Sequence, residues 1–168
     1  WQSHGVERGE YVLVTLHRPS NVDEPRQLAE IVSALESVGS RAPIIFPVHP
    51  RTRARLSEAD LLGRLEGAGV RCIDPVGYLD FLSLQAGAGA VVTDSGGVQE
   101  ETSALGIDCY TLRANTERPV TISHGTTALL GDAPDALLDV RPSSHSPTPC
   151  AIPLWDGHAA KRAADALI

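Results

Sequence analysis

The sequence predicts a doubly wound α/β fold, a parallel sheet with helices on both faces, and three observations predict it. Short β-rich runs alternate with helical patterns along most of the chain. The runs at 43–48 and 90–93 are almost wholly apolar, as strands covered on both faces are. Ahead of them, Leu28, Ile31, Val32, Leu35 and Val38 recur at the i, i+3, i+4, i+7 spacing of a helix with one buried face.

Taken in order, residues 11–16 read as the first strand from their Tyr, Val, Leu and Thr content. Residues 17–23 read as a loop, followed by a helix from about Glu24 that ends at Gly39. The second strand is 43–48. A short helix carrying Leu56, Leu61 and Leu62 leads to a third strand at 70–73. A helix at 78–86 precedes the fourth strand at 90–93, and a helix at 98–105 closed by Gly106 precedes the fifth at 108–112. Residues 127–130 read as a sixth strand and 134–138 as a helical turn or two. The stretch 141–153 holds four prolines and four Ser or Thr residues, which predicts an irregular crossing. A last helix, 158–168, closes the chain, and no internal repeat is visible.

At 168 residues the chain fits one domain able to bury a core. With 42% hydrophobic and 21% charged residues it reads as soluble and globular. Its apolar runs are too short to span a bilayer, and no basic segment precedes an apolar one at the start, so neither a membrane partner nor a secretion signal is expected. The chain opens on Trp1 and contains no Met, which reads as part of a longer polypeptide. A net charge of −7 and a pI near 5.3 argue against nucleic acid as partner, although a locally positive site can still hold a polyanion. Cys72, Cys109 and Cys150 are odd in number, widely spaced and without a CxxC pair, so reduced thiols in a cytoplasmic protein are expected and a metal site is not.

In open α/β sheets ligands bind beyond the carboxyl ends of strands, at helix N-termini. Asp94-Ser95-Gly96-Gly97 occupies that place after the fourth strand. Paired glycines admit a bulky anion close to the backbone. The first N–H groups of the next helix lack internal partners and carry partial positive charge, so a phosphate or diphosphate suits them, with the Ser95 hydroxyl as a further donor. The plainer reading is a glycine turn with Asp94 or Ser95 capping the helix. The tetrad is also similar to the nucleophile loop of chymotrypsin-like proteases, but those are all-β and this chain is not. Glu100 and Glu101 either favour the positive helix end by charge or accept hydrogen bonds from ribose hydroxyls. His17-Arg18 follows the first strand, His49 the second and Thr116-Glu117-Arg118-Pro119 the fifth. Each alone is a polar loop, but together they put cations at one rim of the sheet, where Arg can grip phosphate bidentately.

Several segments together resemble one family, the non-hydrolysing UDP-N-acetylglucosamine 2-epimerases. They are Leu13-Val14-Thr15-Leu16-His17-Arg18, Pro47-Val48-His49-Pro50, Asp74-Pro75 with Tyr78 and Phe81, Thr93-Asp94-Ser95-Gly96-Gly97-Val98-Gln99-Glu100-Glu101, and Leu112-Arg113 with Thr116-Glu117-Arg118-Pro119. The resemblance runs over 11–168. It implies the C-terminal, UDP-binding, Rossmann-like half of a two-domain GT-B architecture, with the N-terminal domain absent from 1–168. It implies that Ser95, Gly96 and Gly97 hold the diphosphate, that Glu101 binds ribose, and that Arg113, Glu117 and Arg118 line the pocket. Tyr78 and Phe81 would lie near the uracil, His17 would be catalytic beside the phosphates, and Arg18 and His49 would touch a second, allosteric nucleotide-sugar.

The implied reaction inverts C2 of UDP-N-acetylglucosamine to give UDP-N-acetylmannosamine. It proceeds by elimination of UDP to a 2-acetamidoglucal and re-addition, with no cofactor, in a full-length homodimer. The acid-base groups for the C2 proton would belong to the other domain, so the chain alone would bind UDP weakly and not turn over. Three departures stand out: Arg18-Pro19-Ser20-Asn21 where Arg-Arg-Glu is common, Val120 where Glu is usual, and Pro153-Leu154-Trp155-Asp156-Gly157 near the end. The alternatives are the donor domain of a GT-B glycosyltransferase, which would put the same pocket to sugar transfer, and a UDP-sugar-binding module without chemistry.

Overall fold

A computed structural model describes residues 1–143 and 148–167. The strands are β1 (Val12–Thr15), β2 (Ile44–Pro47), β3 (Val70–Ile73), β4 (Ala90–Thr93), β5 (Cys109–Thr111) and β6 (Thr127–Leu129). They form one parallel sheet in the order β3-β2-β1-β4-β5-β6. That order is the doubly wound one, and it places the reversal between β1 and β4. Their register sets Thr15 against Thr93, so the residues just beyond them, 16–18 and 94–97, emerge side by side. This is what positions the site.

The helices are α1 (Pro19–Val22), α2 (Pro25–Gly39), α3 (Pro50–Glu58), α4 (Leu62–Gly67), α5 (Tyr78–Gly87), α6 (Gly96–Leu105), α7 (Pro119–Ser123) and α8 (Ala159–Ala166), with 3-10 turns at Gln2–His4 and Pro134–Asp139. Alternate strand residues feed two cores. Val12, Val14, Ile44, Phe46 and Val92 pack with Ile31, Leu35 and Val38 of α2 on one face. Leu13, Ile45 and Val91 pack with Tyr11, Leu84 and Val98 on the other. The apolar runs are thus buried on both sides, as their composition predicts. Burial also pushes the Tyr11 phenol well above its ordinary range, while its hydroxyl donates to Leu84 O at 2.5 Å.

The structure differs from the sequence expectation in local detail. The loop at 17–23 contains the short helix α1, begun by Pro19, whose fixed φ suits a first helical position. The single helix around Leu56 to Leu62 is two, α3 and α4, separated where Asp60 takes a positive φ of 54°. Pro119, which the sequence places in a charged loop, begins the short helix α7. Of the irregular crossing 141–153, residues 144–147 lie outside the described residues, as does Ile168 of the closing helix; the described remainder of the crossing forms no helix or strand. Among the described residues no helix is long and apolar enough to cross a membrane.

Gly106 ends α6 in the left-handed region at φ 73°, and a Cβ there would stand 2.1 Å from Thr148 O. The expected closing role of this glycine is therefore reinforced by a close backbone approach. Gly106→Ala is expected to lower stability by about 2–4 kcal/mol in urea unfolding, from the left-handed penalty plus overpacking.

Candidate functional site at the β1–β4 crevice

Asp94 is fully buried at the end of β4, and its carboxylate is surrounded by donors from the β1 loop. The backbone N–H of His17 reaches it at 3.0 Å, that of Arg18 at 2.8 Å and the Asn21 side-chain amide at 3.0 Å. His17 Nδ1 stands 3.3 Å from Oδ1, so the carboxylate also faces the imidazole. Asn21, itself buried, donates to Leu112 O at 3.0 Å and extends the link to β5. Thr52 of α3 donates to Leu16 O at 2.6 Å from the other side. A buried carboxylate is tolerated when its lone pairs are met in this way. Asp94 therefore does not cap α6, contrary to one reading of the tetrad; it turns back to hold the β1 loop.

Ser95 takes the N-cap position of α6 but makes no side-chain cap bond. Its own N–H donates to Thr93 Oγ1 at 3.0 Å, and its carbonyl accepts from Gln99 at 3.3 Å. The amides that open α6 thus remain without a protein cap, and they carry the positive end of the helix dipole. A Cβ on Gly97 would meet nothing within 4 Å, while one on Gly96 would come no closer than 3.9 Å to Arg118. The capping explanation for the tetrad loses its support here, whereas an anion has room and donors.

Around this helix end stand the basic side chains. Arg113 and Glu117 form a bidentate pair at 2.9 and 2.8 Å, with Arg113 13% exposed and Glu117 59%. The Arg113 hydrogen bond is the main cause that drives the Glu117 carboxyl down to about 2. Arg18 adds to that field and lays its Nε 3.3 Å from Asp94 O. Arg118 Nε lies 2.7 Å from Glu100 Oε1, an ion contact outside hydrogen-bond geometry. Thr116 anchors the loop: its hydroxyl donates to buried Gln99 at 2.7 Å and accepts from the Arg118 N–H at 3.0 Å. Each basic group is held against a partner within this chain.

His17, Ser95, Gly96, Gly97, Arg113, Glu117 and Arg118, with Arg18, therefore gather at one end of the sheet. His49 joins them only at its edge. Its ring lies 5.7 Å from that of His17, but it is exposed, and its Nδ1 accepts from Arg51 N–H at 3.2 Å at the start of α3. Glu101 sits one turn into α6, where Oε2 accepts from Gln85 at 2.5 Å. Tyr78 opens α5 and is 63% exposed, whereas Phe81 is half-buried against the second core. Asp94, Asn21 and Gln99 escaped the sequence reading as anchors. The motif held Asp94 in view, but no spacing reveals which of two roles a carboxylate before a glycine pair takes. Among the described residues no three His, Cys, Asp or Glu side chains could hold a metal ion.

Against known proteins, the model of the UDP-N-acetylglucosamine 2-epimerase family matches residues 2–168. A UDP-N-acetylglucosamine 2-epimerase of Methanocaldococcus jannaschii is 45% identical over 132 residues, 77% of this chain and 36% of that protein. A UDP-2,3-diacetamido-2,3-dideoxy-D-glucuronate 2-epimerase of Pseudomonas aeruginosa is 42% identical over 130 residues, 77% of this chain and 35% of that protein. A crystal structure of Methanocaldococcus jannaschii UDP-GlcNAc 2-epimerase in complex with UDP-GlcNAc and UDP superposes with a TM-score of 0.77 at 36% identity, covering 98% of this chain and 46% of that one. The chain thus spans between about a third and a half of the proteins it matches.

Two outcomes test this geometry. Asp94→Ala strands the N–H groups of His17, Arg18 and Asn21 and is expected to cost about 2–4 kcal/mol in urea unfolding, with Asp94→Asn, which keeps one acceptor oxygen, losing less. Because the folded Glu117 pKa is depressed, its pairing stabilises the fold above the usual carboxylate range and is lost as pH falls towards about 2. Carbon NMR of the Glu117 carboxyl should show a midpoint near 2; a midpoint at its ordinary 4.5 would contradict the pairing.

Proposed function

Because this chain belongs to the UDP-N-acetylglucosamine 2-epimerase family, we propose that it is the UDP-binding, C-terminal domain of an isomerase that inverts C2 of UDP-N-acetylglucosamine to give UDP-N-acetylmannosamine. The observation that carries the proposal is the uncapped N-terminus of α6 at the strand-order reversal, with His17, Arg113 and Arg118 beside it. The amides of Gly96 and Gly97 and the Ser95 hydroxyl hold the diphosphate. Glu101 takes the ribose, while Arg113, Glu117 and Arg118 line the pocket and Tyr78 and Phe81 lie towards the uracil. Arg18 and His49 face a second, regulatory nucleotide-sugar.

The reaction cleaves the bond between C1 and the UDP oxygen as a base takes the C2 proton, giving a 2-acetamidoglucal. UDP then re-adds and a proton returns to C2 from the opposite face. The negative charge that develops on departing UDP falls where donors are already arranged, so the helix end and His17 stabilise the transition state more than the bound sugar. Asp94, 3.3 Å from Nδ1 of the imidazole, holds the ring in place for that task. The group that takes the C2 proton comes from the N-terminal half of the full protein, so the chain alone binds UDP weakly and does not turn over. The full-length protein works in the cytoplasm as a homodimer.

A second reading changes only the sugar. The relative named for UDP-2,3-diacetamido-2,3-dideoxy-D-glucuronate is almost as similar, at 42% identity, as the one named for UDP-N-acetylglucosamine, at 45%. One experiment addresses both. The full-length protein is incubated in deuterated water with each UDP-sugar, and the true substrate is expected to gain deuterium at C2 as its epimer forms. Product arising by transfer to an acceptor, with no exchange at C2, would instead identify a glycosyltransferase.

A further inference from the structure

Gln85 lies near the end of α5, fully shielded from solvent. Its Nε2 donates to Glu101 Oε2 at 2.5 Å and so joins α5 to α6. A carboxylate offers only acceptors, so the amide must turn its nitrogen to Glu101. That choice leaves Gln85 Oε1 buried with no hydrogen-bond partner among the described residues. Buried side-chain amides normally satisfy both ends, and an orphaned one destabilises the fold, so an apolar residue of the same volume would pack here at less cost. The hydrogen bond that the amide does make is the one it gives Glu101. It occupies one carboxylate oxygen, and Oε1 of Glu101 has no hydrogen bond within the described residues. Tyr78, Phe81 and Gln85 are spaced i, i+3, i+7 along α5, so the helix that supplies the proposed uracil contacts supplies this one too.

We propose that Gln85 is a positioning residue that locks one oxygen of Glu101 so that the other meets the ribose hydroxyls, making the site selective for ribonucleotides over deoxyribonucleotides. The inference rests on the proposed reading of Glu101 as the ribose ligand. A Glu side chain free to rotate loses conformational entropy each time it binds, and one already held by Gln85 does not. The selectivity follows because a pre-aimed carboxylate left facing a missing hydroxyl is desolvated without return.

The test is calorimetry on the full-length protein with UDP and 2′-deoxy-UDP. Wild type is expected to prefer UDP roughly ten- to hundredfold, the range of one hydrogen bond to a charged group. Gln85→Met, which keeps volume, and Gln85→Asn, which shortens the amide, should each cut that ratio about fivefold or more by weakening UDP alone. A purely structural role would weaken both nucleotides equally and leave the ratio where it was. A ratio unchanged in both variants, with Glu101→Ala collapsing it, overturns the role of Gln85 and spares that of Glu101. A ratio unchanged in Glu101→Ala takes down the ribose reading and this inference together. Should neither Gln85 variant fold, a crystal structure of the wild-type protein with UDP decides: Glu101 on the ribose with Gln85 still bonded supports the proposal, and Glu101 on the ribose with Gln85 turned away defeats it.

Discussion

A carboxylate without solvent must be met by donors, and Asp94 meets that requirement with groups from another strand's loop. Its bonds to His17 N, Arg18 N and Asn21 Nδ2 tie the end of β1 to the end of β4, the two strands flanking the reversal of strand order. Everything placed at the crevice depends on that tie. It sets how far the His17 ring stands from the first turn of α6, and through Asn21 it fixes the end of β5, from which Arg113 departs. The loop could drift if the only link were parallel pairing, because β1 and β4 share four residue pairs that end at Thr15 and Thr93. Short strands give way to irregular backbone early, and a polar anchor takes over where the ladder stops.

The basic rim is held by internal pairing. Arg113 is pinned by Glu117, Arg118 lies on Glu100, and Thr116 with Gln99 fixes the loop between them. On a chain of net charge −7, arginines kept in place by carboxylates form a site that is locally basic yet stable before any anion arrives. Exposed ion pairs contribute little to stability, so the value of these pairs lies in aim. The guanidinium forks are already oriented, and the helix amides between them have no side-chain cap, since Ser95 does not bond to them. Cysteines take no part in this. Burial pushes the Cys72 thiol up to about 11 and raises Cys109 as well, which keeps both in their inert protonated form.

The division of labour in the proposed reaction follows from the same geometry. A surface that binds and stabilises a leaving diphosphate needs donors arranged before the chemistry begins, and an α/β sheet supplies them at one edge. Taking the C2 proton from one face and returning one to the other needs further groups beside the sugar, which the proposed reading assigns to the N-terminal half of the full protein. The chain itself spans under half of the relatives it matches.

Particular residues mark what was legible in advance. The strands at 43–48 and 90–93 were readable because sheets covered on both faces demand apolar runs, and Gly106 was readable as a terminus because few other residues accept its φ. The position of Ser95-Gly96-Gly97 followed from strand–turn–helix order alone. The short helices α1 and α7, each opened by a proline, were not legible, since a turn of four or five residues is too short for a periodic signal. Nor was the role of Asp94, or the bond between Gln85 and Glu101, because their partners lie 77 and 16 residues apart in sequence. Sequence by itself determined the order of elements and which residue types reach the sheet's carboxyl edge, both local consequences of propensity and burial pattern. Only the tertiary structure decided which of those polar groups are spent on one another and which stay free for a ligand, because that choice depends on distances between strands that are neighbours in space and not along the chain.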